Sequence, residues 1–236
     1  VAKKIKIKGV IIPNDYKWVY DWFEMDSTCP NDVSKVLDTL NGEEIEIEIN
    51  SGGGDVYSGS EIYTALKGYK GKKIVKIVGI AASAASIIAM AGDKVSISPT
   101  AQIMIHNVRS NGSGDYKDFE HRADVLKNYN KSIANAYRLK TGLSEKELLD
   151  LMNKESWFNA QQALEYKFVD EIMFDDQMQL VASSGFAPMI PLEVINKIRN
   201  TIKNPNIDMN NDSDILLQKS KAQLNLLKLK GEMNNE

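Results

Sequence analysis

The chain is poor in the side chains that build metal sites and disulfides: its 236 residues include 1 cysteine and 2 histidines. A single thiol excludes an internal disulfide framework and fits a reducing cytoplasm. That thiol, Cys29, lies in the polar stretch Asp26-Ser27-Thr28-Cys29-Pro30 and is read as part of a loop. With so few soft ligands a structural zinc site is not expected, and neither a metal nor a cofactor is required. No apolar run reaches the ~20 residues that a bilayer span needs. The opening Val1-Ala2-Lys3-Lys4 has no secretory hydrophobic core. There is no basic block, and a net charge of −3 argues against a nucleic-acid surface. The composition, 43% hydrophobic and 26% charged, is that of a soluble globular protein, and the expected location is the cytoplasm.

What is present is alternation. Lys4-Ile5-Lys6-Ile7-Lys8 and Glu44-Ile45-Glu46-Ile47-Glu48-Ile49 repeat with period two and predict half-exposed strands. Between them, Asn31-Asp32 precedes Val33, Val36, Leu37 and Leu40, which predicts a helix running to about Asn41-Gly42. Gly52-Gly53-Gly54 reads as a turn, followed by a helix carrying Val56, Ile62, Tyr63 and Leu66. The β-branched run Ile74–Val78 predicts a strand, Gly79-Ile80-Ala81-Ala82-Ser83 a small-residue turn, and Ala84–Ala91 a buried helix. Two short strands follow, Lys94–Ser98 and Gln102–His106.

A long helix is expected over Tyr116–Lys140, with Phe119, Ala123, Leu126, Ile133 and Tyr137 on one face and Thr141-Gly142 stopping it. Ser144-Glu145-Lys146-Glu147 is a capping box that opens the next helix. Trp157-Phe158-Asn159 leads into a short helix from Ala160 to about Lys167, and Phe168–Ile172 reads as a last strand. Strands alternating with helices imply an α/β fold with a mainly parallel sheet. Composition shifts near Gln177, dividing the chain into a domain over 1–177 and a linker with a helical, partly disordered tail over 178–236.

Ser83 stands where a strand hands over to a helix. Ligand sites in parallel sheets form at such strand ends, and the first N–H groups of the helix have no partners of their own. The position suits a nucleophile, and it equally suits a helix cap. A serine nucleophile needs a base, an orienting acid and oxyanion donors. The candidate bases are His106, at a strand end, and His121, in the polar helical stretch Asp118-Phe119-Glu120-His121-Arg122. Gly52, Gly53 and Gly54 lack the lysine-serine pair of a phosphate loop. Their N–H groups are instead candidates to hold an oxyanion or align a substrate backbone.

Four segments in order carry a family resemblance: Asn50-Ser51-Gly52-Gly53-Gly54, Gly79-Ile80-Ala81-Ala82-Ser83, Met104-Ile105-His106, and Trp157 through Asp170. Over roughly residues 5–175 the chain resembles the ClpP family of serine peptidases. The resemblance implies the ClpP/crotonase fold, polypeptide substrates, assembly into rings, and a Ser-His-acid triad. Ser83 matches the nucleophile, His106 the general base, and Gly54 and Ala84 the oxyanion-hole donors. The segment 116–140 matches the projecting handle through which rings stack. The acid position, usually aspartate, holds Glu155, with Asp150 as the alternative.

Gly52 replaces a common proline, and the Ser83-to-His106 spacing is shorter than in the housekeeping enzymes. Asp21-Trp22-Phe23 and Ala85-Ser86 look more like the phage and prophage members that cut scaffold, capsid or portal proteins in the prohead, and a phage-encoded chain is expected in the host cytoplasm or the prohead interior. The rival expectations are a housekeeping subunit with an ATP-driven unfoldase, a crotonase-type acyl-CoA enzyme, and a ring protein whose triad has decayed.

Overall fold

Period-two alternation becomes the centre of a sheet. The computed structural model describes residues 3–174; the expected tail over 178–236 lies outside them. Strand β1 spans Lys3–Ile11, β2 Ser27–Thr28, β3 Ile45–Gly54, β4 Lys73–Ala82, β5 Lys94–Ile97, β6 Gln102–Ile105, β7 Ser156–Asn159 and β8 Glu171–Ile172. Helices are α1 Lys17–Trp22, α2 Pro30–Leu37, α3 Val56–Gly68, α4 Ala84–Ala89, α5 Tyr116–Thr141, α6 Glu145–Asn153 and α7 Ala160–Glu165.

The strands run in the order β2-β1-β3-β4-β5-β8, all parallel. Strand β4 forks the sheet. Its first half pairs with β5 (Ile77↔Ile97) and its second half with β6 (Ala82↔Met104). Antiparallel β7 then pairs with β6.

Ile5, Ile7, Ile45, Ile47, Ile49, Val75 and Ile77 point to one face and are buried. Helix α4, built from small and aliphatic residues, is buried along its whole length against that face. The residues between them form a charged ladder on the opposite face. Lys4 bridges Glu46 (3.1 Å) and Glu48 (2.7 Å), and Lys76 bridges Glu46 (2.6 Å). Parallel sheets are usually covered on both faces; here strict alternation leaves one to water. The expected α/β architecture with a mainly parallel sheet is what forms.

Several local expectations are corrected. Both glycine-rich turns lie within strands: β3 continues through Gly54 and β4 through Ala82, with register shifts absorbing the extra residues. Cys29 is buried rather than looped out. It caps α2, its N–H donating to Asp32 Oδ2 at 3.0 Å, with Pro30 opening the helix. Helix α2 stops at Leu37, short of Asn41, because the N–H groups of Thr39 and Leu40 turn back on Val36 and Leu37. Helix α7 ends at Glu165, and the last strand is reduced to Glu171–Ile172. The short α1 was not expected, nor was β7, where Trp157-Phe158-Asn159 had read as a lead-in.

The long helix α5 is divided. Ile133 and Tyr137 are in the core, whereas Phe119 is half exposed and the first turns carry Tyr116 and Val125 at the surface. The apolar positions do not form one continuous covered face, because only the second half of α5 reaches the sheet layer.

Candidate active site

Ser83 occupies the N-cap position of α4 at the end of β4 and takes φ 54° and ψ −125°. A positive φ in a non-glycine residue costs about 1–3 kcal/mol and persists only where its surroundings enforce it. The Ser83 N–H donates to the Met104 carbonyl at 2.9 Å, extending the β4–β6 ladder by one bond. That bond ties Ser83 to the strand preceding His106. The result is a 2.7 Å contact between Ser83 Oγ and His106 Nε2. The Ser83 side chain therefore does not cap α4; it turns to the imidazole.

Two further polar contacts hold the elbow from below. The Ser86 hydroxyl donates to the Ser83 carbonyl at 2.6 Å. The Tyr137 hydroxyl, 2.8 Å from Ser86 Oγ, supplies the remaining proton. Tyr137 is fully buried against Phe168, and burial pushes its phenol far above the ordinary range.

Gly53 fits against the elbow because it has no side chain. A Cβ there would come within 2.7 Å of the Ala82 carbonyl oxygen and of Ser83 Cβ, and its φ is 93°. The Gly53 N–H is already taken by Ser51 Oγ at 3.1 Å. Two residues on, the Asp55 N–H donates back to the Ile11 carbonyl at 2.8 Å. Gly54, Ser83 and Ala84 line one cleft of about 350 Å³. Ala84 opens α4, so its N–H has no carbonyl within the helix. Gly52 is exposed, with open space where a side chain would stand.

The expected acid position, Glu155, approaches by way of β7. In the β6–β7 pair, Ile105 faces Ser156, and the next step of that register sets Glu155 opposite His106. Glu155 adopts φ 51° at the turn from α6 into β7. Asp150 is instead on the exposed side of α6, paired with Lys146 at 3.0 Å. His121 is exposed on α5. The structure thus brings Ser83, His106, Gly54, Ala84 and Glu155 together and leaves Asp150 and His121 outside.

Glu155 does not bond the imidazole. Its carboxylate pairs with Arg109 Nη2, and His106 Nδ1 is buried with no hydrogen-bond partner among the described residues. Burial first, and then the Arg109 charge, hold the His106 pKa below its ordinary value; the Glu155 charge opposes them.

Apolar and aromatic side chains complete the cleft: Ile87, Val125, Leu126 and Ile133, with Tyr57 of α3 and Tyr129 of α5 meeting edge to face at 5.4 Å. Arg109 and Arg122 line it as well. The sequence marked Ile87, Leu126 and Ile133 only as apolar helix positions, and Tyr57, Arg109, Arg122, Val125 and Tyr129 not at all, since α3, α5 and the loop after β6 meet only in the folded chain. Among the described residues there is no group of three or more His, Cys, Asp or Glu side chains that could hold a metal.

A hydroxyl on an imidazole at a strand end, with helix N–H groups beside it, is the arrangement of a serine hydrolase. The Clp protease family model matches residues 23–176, well over half of the chain. This chain belongs to the Clp protease family. The ATP-dependent Clp protease proteolytic subunit of Deinococcus radiodurans is 32% identical over 141 residues, 58% of this chain and 69% of the relative. That of Bacteroides fragilis is 31% identical over 140 residues, 58% of this chain and 68% of the relative. Among solved structures, a ClpP1 mutant from Listeria monocytogenes superposes with a TM-score of 0.60 at 23% identity, covering 72% of this chain and 91% of that one. The fold is therefore that of ClpP, and the chain is a ClpP-like peptidase.

Proposed function

We propose that this ClpP-like peptidase cleaves polypeptides through Ser83, His106 and Glu155. The observation that carries the reading is the 2.7 Å contact between Ser83 Oγ and His106 Nε2. His106 Nε2 takes the hydroxyl proton as Ser83 Oγ attacks the peptide carbonyl, then returns it to the leaving amine. The N–H groups of Gly54 and Ala84 stabilise the oxyanion. For Nε2 to accept, Nδ1 must carry the ring proton, and a carboxylate at Nδ1 fixes that tautomer and stabilises the imidazolium. The β6–β7 register, one step beyond Ile105↔Ser156, supports Glu155 in that role. An extended substrate lies beside Gly52–Gly54, past the last β3–β4 pair at Ser51↔Ala81.

The physiological setting we infer is a ring of like subunits acting on phage scaffold, capsid or portal proteins, on the strength of Asp21-Trp22-Phe23 and Ala85-Ser86. The relatives titled as ATP-dependent subunits favour a second setting, delivery of substrate by an ATP-driven unfoldase. The deciding experiment is labelling by a fluorophosphonate together with cleavage of an internally quenched peptide. Ser83→Ala should abolish both, and labelling that persists in that variant overturns the reading. Cleavage of folded proteins only with an added unfoldase and ATP selects the second setting.

A further inference from the structure

The acid beside His106 is already engaged. Arg109 holds the Glu155 carboxylate, while His106, whose Nε2 contacts Ser83 Oγ at 2.7 Å, has its buried Nδ1 without a partner among the described residues. A buried N–H without an acceptor is disfavoured, so the pair that satisfies Arg109 leaves the histidine wanting the same carboxylate. The clamp is loose: the Arg109 side chain is 73% exposed and that of Glu155 40%, and ion pairs open to water are weak and readily exchanged. Arg109 also lines the substrate cleft together with Arg122. Arg122 is anchored to the Asn111 carbonyl at 2.6 Å. The acid lining the same cleft, Asp55, is occupied as the cap of α3, accepting from the Ser58 N–H at 2.7 Å and the Ser58 hydroxyl at 2.8 Å. The free arm of the cleft is therefore cationic, and Arg109 is the cation whose release matters to the histidine.

We propose that Arg109 is a substrate-operated positioning residue: it holds Glu155 off His106 at rest and exchanges it for a carboxylate of the substrate. The substrate class is polypeptides with an aspartate or glutamate close to the scissile bond. Binding such a chain transfers Arg109 to the substrate and frees Glu155 to accept from His106 Nδ1, so the acidic residue raises kcat as well as lowering KM. This rests on the serine-peptidase reading above. A guanidinium grips a carboxylate through two parallel bonds, and a lysine in its place keeps the charge but loses the fork.

The test uses the full chain, with Arg109→Gln and Arg109→Lys, both at an exposed position. The first readout is the rate at which a fluorophosphonate, which brings no carboxylate, labels Ser83. The second is kcat and KM on twin quenched peptides that differ by glutamate against glutamine beside the cleaved bond. In the unsubstituted protein the glutamate peptide should have the higher kcat, by about tenfold, the low end for one hydrogen bond to a charged group, and the lower KM. Arg109→Gln should label faster than the unsubstituted protein and treat the twins alike; Arg109→Lys should retain part of the preference. Labelling of Arg109→Gln at or below the original rate, or a glutamate preference that survives it, overturns the proposal while leaving the peptidase reading intact. Failure of every form to label at Ser83 removes that reading, and this proposal with it.

Discussion

Ser83, His106 and Glu155 each have a measurable consequence. Ser83→Ala removes the proposed nucleophile, and turnover should fall by several orders of magnitude, as loss of a triad serine does, with thermal unfolding little changed. Glu155→Gln keeps the size and removes the charge; by analogy with an orienting aspartate it should lower kcat by about two to four orders of magnitude. Asp150→Asn, distant from His106 and paired with Lys146, should leave kcat near its original value. If the two outcomes are exchanged, the acid is Asp150. His106 acts as a base only when neutral. Its pKa is held below the ordinary value by burial and by Arg109 against the pull of Glu155. The acidic limb of kcat/KM should therefore have its midpoint below about 6.5, the unperturbed histidine value, and a midpoint above it would contradict the assignment of His106.

Helix α5 and strand β3 support the site through contacts that can be removed singly. Tyr137→Phe deletes the hydroxyl that donates to Ser86 beneath the elbow. The ring still fills its place, so the loss should be about 1 kcal/mol, the net contribution of one buried hydrogen bond, read by urea unfolding. Slower labelling of Ser83 in that variant would show that α5 positions the elbow as well as packing on it. Gly53→Ala is a harsher change. The added methyl meets the Ala82 carbonyl and Ser83 Cβ at 2.7 Å, on a φ of 93°. Strain at such a conformation exceeds the ~0.4–1 kcal/mol that an alanine otherwise gains over glycine, so both stability and activity should drop. Activity equal to the original would show that β3 and the elbow do not need this close approach.

The described residues leave surface that a lone subunit would not keep. Tyr116 (68% exposed), Phe119 (51%) and Val125 (41%) stand on the first half of α5. Trp18, Trp22 and Phe23 are exposed at and beside α1. Exposed apolar side chains gathered in this way mark contact surfaces, and repeated head-to-tail contacts between like subunits close into rings. A ring is therefore the expected state at micromolar concentration, read by light scattering. Phe119→Asp together with Tyr116→Asp should weaken assembly, whereas an active monomer would refute the ring.

The sequence by itself determined the elements whose cause is local. Period-two isoleucines fixed β1 and β3, the Ser144–Glu147 box fixed the start of α6, and Gly142 with φ 75° ended α5 as expected. It also placed Ser83 at a strand-to-helix junction, because small residues after a β-branched run permit that handover. Only the tertiary structure decided the rest, for reasons of distance along the chain. Glu155 and His106 are nearly fifty positions apart and meet through β7, a strand too short to declare itself. Cys29 is buried because it follows β2, which pairs with β1, and opens α2, which packs on α3, and Gly53 and Gly54 are strand rather than turn because Val10 and Ile11 lie alongside to pair with them. Arg109 has no local signature at all: its partner Glu155 is brought in by the neighbouring strand β7, and contacts between segments remote in sequence are what a one-dimensional pattern does not carry.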